Sequence, residues 1–200
     1  MGLNLEYPPD ATPLDPDEAA GLTPAHISNH RQLNEWEAAN ILKAEAWLRT
    51  RRRKDILTLE FVRLMHKRMF DETWKWAGMF RTTEKNIGID PAHIASRTRD
   101  LCEDVKAQLA HQTLPLDEIA ARFHHRLVSI HPFSNGNGRH ARLMADLLLT
   151  RNGAPRFIWG EDNLVTDNEV RRRYIAALKA ADARDYAPLL RFVRSGHQTA

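Results

Sequence analysis

Cysteine occurs once in this chain of 200 residues, at Cys102, so an intramolecular disulfide framework is excluded. One thiol fits a reducing compartment, and the cytoplasm is the expected location. The sequence has no run of about 18 apolar residues, so a membrane-spanning helix and a membrane partner are not expected. The stretch from Met1 to Ala20 is acidic and proline-rich, without the basic and apolar regions of a secretory signal. Glu6 stands where myristoylation needs Ser or Thr. Zinc-type spacings are missing too, although the chain has 10 histidines and His124, His125, His131 and His140 lie close in sequence. On a helix His124 and His131 share a face while His125 turns away, so a histidine metal site is not expected. Charge of one sign is scarcely in excess, with 29 basic against 26 acidic residues and a net +3. The runs Arg51-Arg52-Arg53-Lys54 and Arg171-Arg172-Arg173 read as solvated helix ends and faces, and nucleic acid is not expected as a partner.

What is present is a globular chain with 42% hydrophobic residues, enough for a real core. Helical spacing dominates it, which predicts an all-α fold. Residues 1–22 read as an arm, because Pro8, Pro9, Pro13 and Pro16 block regular helix. Thr23-Pro24 has the form of a helix start. A helix over Asn34–Arg51 is predicted to bury the stripe Trp36, Ala39, Leu42, Ala46 and Trp47. Thr58 caps the next helix. From Met79 to Ile89, β-branched, aromatic and polar residues between glycines predict a short β-hairpin or extended flap. Helices are then expected over Ala92–His111, from Asp117, from near Gly138, after a Thr166 cap, and over Tyr186–Arg194 with Gly196 as the stop. The five tryptophans are spread over three regions and read as packing residues.

The unusual segment is His131-Pro132-Phe133-Ser134-Asn135-Gly136-Asn137-Gly138-Arg139, set between two apolar helices. Its paired glycines permit φ > 0 and a close main-chain approach. The loop opens into a helix, so unpaired N–H groups and the positive dipole end point at one spot, which suits an anion. Arg139 and Arg142 sit one helical turn apart and can both reach a polyphosphate. His131, a neutral imidazole just before the loop, can take a proton from an incoming hydroxyl. From these residues alone, an ordinary structural turn and a catalytic loop both remain open.

The segment resembles the Fic signature H-P-F-x-[DE]-G-N-G-R, and Arg142 supplies the second Arg that follows it. Trp76-Ala77-Gly78-Met79-Phe80-Arg81 with Asn86-Ile87-Gly88 looks like the entry to the Fic flap. The resemblance covers roughly residues 55 to 195, and the whole chain is similar to a bacterial subgroup called mobile mystery protein B. It implies a Fic-fold helical bundle with a short β-hairpin flap and an N-terminal helical arm, divided as arm 1–54 and Fic domain 55–200. The implied reaction moves AMP from ATP, a nucleotide triphosphate, with Mg²⁺, onto a Ser, Thr or Tyr hydroxyl of a protein target or of the chain itself. His131 matches the general base. Gly136, Asn137 and Gly138 match the anion turn, with Arg139 on the outer phosphates and Arg142 as a second phosphate contact. The flap, Thr83, Glu84, Lys85, Asn86, Ile87 and Gly88, would clamp the target. A homo-oligomer is compatible with the sequence.

Two departures matter. Asn135 replaces the usual acidic Mg²⁺ ligand, so metal binding should be weaker. A changed group (phosphate, UMP or phosphocholine) or a catalytically weak nucleotide- or partner-binding protein are the alternatives. Family members also carry an inhibitory glutamate in the pattern Ser/Thr, three residues, Glu, Gly/Asn. Here Leu33 and Ala38 flank Glu37 at those positions, so the pattern is not met. Glu37 therefore reads either as a first-turn surface carboxylate or as an inhibitory partner of the motif Arg.

Overall fold

The computed structural model describes residues 12–50, 55–161, 164 and 168–195. In chain order the helices are α1 (Pro16–Ala19), α2 (His30–Thr50), α3 (Leu59–Phe70), α4 (Ile94–His111), α5 (Leu116–Ile130), α6 (Asn137–Arg151), α7 (Glu169–Asp182) and α8 (Ala187–Arg194). The all-α expectation holds: among the described residues no β-strand forms, and an isolated antiparallel bridge joins Leu22 to Trp74. None of the described helices is long and apolar enough to cross a membrane.

The centre is α5 packed along α6, with α4 on α5, α2 on α3, and α7 on α8. Small side chains on α6, Ala141 and Ala145, are fully buried beside Met144, so the two central helices can approach closely. Phe61, Met65, Met69 and Phe70 of α3 close the core from one side. Thr58 caps α3 as expected, its hydroxyl accepting from the Phe61 N–H at 3.0 Å. Cys102 is buried, which pushes its thiol up to about 12 and makes it inert.

Several expectations shift. Thr23-Pro24 begins a single turn and not a helix: the Thr23 N–H donates to the Thr73 carbonyl at 2.8 Å, and the turn closes with Ile27 N on the Pro24 carbonyl at 3.4 Å. The helix begins at His30, where Asn29 Oδ1 accepts from Gln32 N at 3.1 Å. The buried face of α2 is Leu33, Glu37, Asn40, Ala44 and Leu48, while Leu42 is 65% exposed. Two polar residues turn the helix this way. Asn40 accepts from the Glu72 N–H at 3.1 Å and Glu37 from Trp74 Nε1 at 2.7 Å. Thr166 and Gly196 lie outside the described residues, as do Arg51 to Lys54; α7 is capped by Asn168, which accepts from Arg171 N.

The hairpin also fails to form. The backbone groups that would pair within residues 79–89 pair with the motif loop instead: Arg81 N donates to the Pro132 carbonyl at 3.0 Å and Ile89 N to the Ile130 carbonyl at 3.4 Å. The flap is an extended segment, gathered by the Arg81 guanidinium onto the carbonyls of His131, Thr83 and Ile89.

Candidate active site

The loop after α5 is shaped by its own side chains. Asn137 acts like an extra peptide unit: its Oδ1 accepts from Phe133 N at 2.9 Å and its Nδ2 donates to the Phe133 carbonyl at 2.7 Å. Phe133 is fully buried and stacks on His66, with ring centroids 3.7 Å apart. His66 Nε2 donates to the Asn135 carbonyl at 3.0 Å, and its Nδ1 accepts from Gly78 N at 3.0 Å. Gly136 takes φ +76 at the N-terminus of α6, and a Cβ there would sit 2.5 Å from Phe70 Cζ. Only glycine meets both demands.

His131 closes α5 with the left-handed φ of 52, a conformation uncommon outside glycine but one that His, Asn and Asp adopt more often than other residues. Its carbonyl is held by Arg81 Nε at 2.6 Å, and a Cβ on Gly88 would lie 2.7 Å from its own Cβ. The Val128 carbonyl lies near the ring, but neither ring nitrogen makes a full hydrogen bond, although both are buried. Burial first, then the Arg81 charge, lowers the imidazole pKa to about 4, so it is neutral at physiological pH.

The charge that the loop offers is already paired. Arg139 Nη1 lies 2.7 Å from Glu37 Oε2, its Nη2 reaches Asn135 Oδ1 at 3.3 Å, and its guanidinium lies over the Phe70 ring. The Glu37 side chain is 3% exposed. Arg142 lies over the Tyr174 ring, and Tyr174 OH bonds His124 Nε2 at 2.9 Å. A cavity of about 210 Å³ is lined by Glu37, His131, Asn135, Arg139 and Arg142, with Ile87 from the flap. That is below the roughly 300–1,000 Å³ of ordinary small-molecule sites, because Glu37 and the arm fill part of it.

Known proteins share this fold and part of this sequence. A model of the Fic/DOC family matches residues 56–149. Protein adenylyltransferase fic-1 of Caenorhabditis elegans is 31% identical over 146 residues, 70% of this chain and 27% of that protein. The solved structure of C. elegans Fic-1 (residues 134–508) superposes with a TM-score of 0.66 at 26% identity, covering 88% of this chain and 51% of that one. The chain belongs to the Fic/DOC family. The same fold recurs in the N-terminal Fic domain of a VirB-translocated Bep effector from Bartonella quintana, with a TM-score of 0.68, 20% identity and 84% of each chain covered. The chain thus spans 27% of the length of the curated nematode relative.

Within this Fic domain the sequence-derived residues converge. His131, Asn135, Gly136, Asn137, Gly138, Arg139 and Arg142 all line the cavity. The Asn137 side chain is committed inside the loop, which leaves its backbone to face a ligand. The surface reading of Glu37 does not hold; the exposed carboxylate is Glu35, in the second turn of α2 and paired with Arg31 at 3.3 Å. Of the flap, Ile87 lines the cavity, Gly88 packs against His131, Glu84 and Asn86 lie at the exposed tip, and Thr83 and Lys85 bind the arm. No group of three metal-ligating His, Cys, Asp or Glu occurs among the described residues. The one suitable donor in the loop is Asn135 Oδ1, a neutral amide oxygen that fits a hard cation arriving on the phosphates. His66 and Trp74 were not legible as site residues, and Arg81 was read only as part of the flap. The only signal was a polar His66 on the apolar face of α3.

Burial of imidazoles has a measurable consequence. Besides His131, burial lowers His124 to about 3 and His140 to about 4, from an ordinary 6.5. These groups bind fewer protons in the folded than in the unfolded chain. Their stability contribution is complete above pH 6.5 and disappears as pH falls toward 4. Asp146, raised to about 6 by burial, acts oppositely between its ordinary 3.8 and 6, but it is one group against four, since burial also holds His66 well below its ordinary value. Calorimetry should show Tm falling continuously from pH 7 to pH 4. A Tm that held constant or rose over that range would contradict the neutral, buried assignment.

Proposed function

We propose that the chain is a protein adenylyltransferase that moves AMP from ATP to a Ser, Thr or Tyr hydroxyl, and that Glu37 restrains it. The observation that carries the reading is a buried, neutral His131 with unpartnered ring nitrogens, set at the mouth of the Gly136–Gly138 anion turn. The name of the nematode relative, protein adenylyltransferase, agrees with it.

In this reading the amides of the turn and Arg142 hold the phosphates, and Arg139 takes the outermost phosphate once it leaves Glu37. A ring nitrogen of His131 accepts the hydroxyl proton as the oxygen attacks the α-phosphorus, and pyrophosphate leaves. Mg²⁺, held by Asn135 and phosphate oxygens, would neutralise charge developing on the phosphates. Residues 1–54 act as the regulatory arm and 55–200 as the catalytic domain. Intact mass after incubation with Mg²⁺ and each nucleoside triphosphate in turn tests the donor. A gain of one adenylyl group on this chain or on proteins of a lysate is expected, with ATP only.

Asn135 makes a separate prediction. Restoring a carboxylate with Asn135→Asp adds a charged Mg²⁺ ligand, and the Mg²⁺ concentration for half-maximal transfer should fall on the order of tenfold. A half-saturation point equal to that of the parent would place the metal away from residue 135.

A further inference from the structure

The segment from Thr12 to Leu22 does not hang beside the domain; it is bound along the flap. The Lys85 side chain is 3% exposed, with Asp15 Oδ2 2.8 Å from its Nζ and Glu18 Oε2 against the same nitrogen. Thr83 Oγ1 donates to Asp15 Oδ2 at 2.9 Å, and Trp76 Nε1 to the Glu18 carbonyl at 2.9 Å. Asp15 and Glu18 are also the two ends of the α1 capping box, which fixes their spacing. The surface on which a target segment would dock therefore holds a segment of this chain.

That segment carries a hydroxyl into the cavity. Thr12 is 9% exposed and stands in the cavity wall with Leu14, alongside His131. Among the described lining residues the other hydroxyl is that of Tyr174, already bonded to His124 in the core. We propose that Thr12 is a self-adenylylation site, presented to His131 by docking of Asp15 and Glu18 on Lys85. The inference rests on the adenylyl-transfer reading above. Thr12 Oγ1 forms a bond to the α-phosphorus of ATP, and the bond from that phosphorus to the β-phosphate oxygen breaks. The hydroxyl proton passes to a His131 ring nitrogen, and pyrophosphate departs. The same register describes the segment this flap accepts: a hydroxyl followed three and six positions later by carboxylates, as in Thr12, Asp15 and Glu18.

The test uses the full chain carrying Glu37→Gly, incubated with MgATP, digested and mapped by mass spectrometry. One adenylyl group is expected on the peptide containing Thr12. It should be lost in Thr12→Val and kept in Thr12→Ser, with thermal unfolding showing both variants folded like their parent. Lys85→Glu should lower modification of Thr12 at least about tenfold, as expected when like charges replace a buried pair, while Lys85→Arg retains it. An adduct on another residue, or one that survives Thr12→Val, overturns the proposal. So does transfer to lysate proteins with none to the chain, which leaves adenylyl transfer standing. Absence of any AMP transfer from ATP removes the transfer reading and this site with it.

Discussion

Replacing Glu37 with glycine is expected to raise AMP incorporation from ATP by about tenfold or more while lowering Tm. The two effects have one origin. Glu37 spends Oε2 on Arg139 at 2.7 Å and Oε1 on Trp74 Nε1 at 2.7 Å, with 3% of its side chain exposed. In the proposed reaction, that pair keeps Arg139 from an outer phosphate. Coupling between sites typically amounts to about 1–3 kcal/mol, or roughly 5- to 150-fold, and a charge-assisted bond buried on the carboxylate side belongs in the upper part of that range. The same change strands Trp74 Nε1, at about 1–3 kcal/mol, and places glycine inside α2, at about 1 kcal/mol. Each kcal/mol moves Tm about 2–4 °C in a chain of this size. Arg139, 19% exposed, can turn to water and adds little to the loss. Glu37→Gln separates the contributions: its amide oxygen still accepts from Trp74 but carries no charge, so it should activate with a smaller drop in Tm. Incorporation of label from α-labelled ATP, read beside calorimetry, decides the matter. A glycine variant that is destabilised without being activated would remove the restraint.

His131→Ala should cut transfer by about 10²- to 10⁴-fold, the usual contribution of a positioned general base. The nucleotide Kd should change little, because the phosphates rest on the turn amides and on Arg139 and Arg142 rather than on the imidazole. Arg139→Ala supplies the opposite pattern, with affinity lost. Single-turnover transfer in the Glu37→Gly background, paired with calorimetric titration of ATP, separates the two. Transfer that persisted at the parental rate would show that another group takes the proton.

How much of this could be read beforehand follows from how far each signal travels along the chain. The motif loop was legible because its chemistry is local: glycines, Asn137 and Arg139 act within a few positions of one another, and Asn137 bonds Phe133 only four residues away. Helix α3 was legible for the same reason, from Thr58 and the spacing of its apolar residues. The face of α2 was not. Glu37 lies 102 positions from its partner Arg139 and Asn40 lies 32 from Glu72, so no local pattern announces that these polar residues turn inward. The flap misled for a related reason. Residues 79–89 have strand-like composition, but their backbone groups pair with residues 130 and 132.

His66 shows what such distant pairing entails. Its ring must donate at Nε2 and accept at Nδ1 at the same moment, which only the neutral imidazole can do, and burial holds it in that form. The residue it donates to belongs to the motif loop, and the residue it accepts from belongs to the root of the flap. A single ring is thus a shared hinge pin for the motif loop and the flap. A substitution that loosens one of these segments at His66 slackens the other as well.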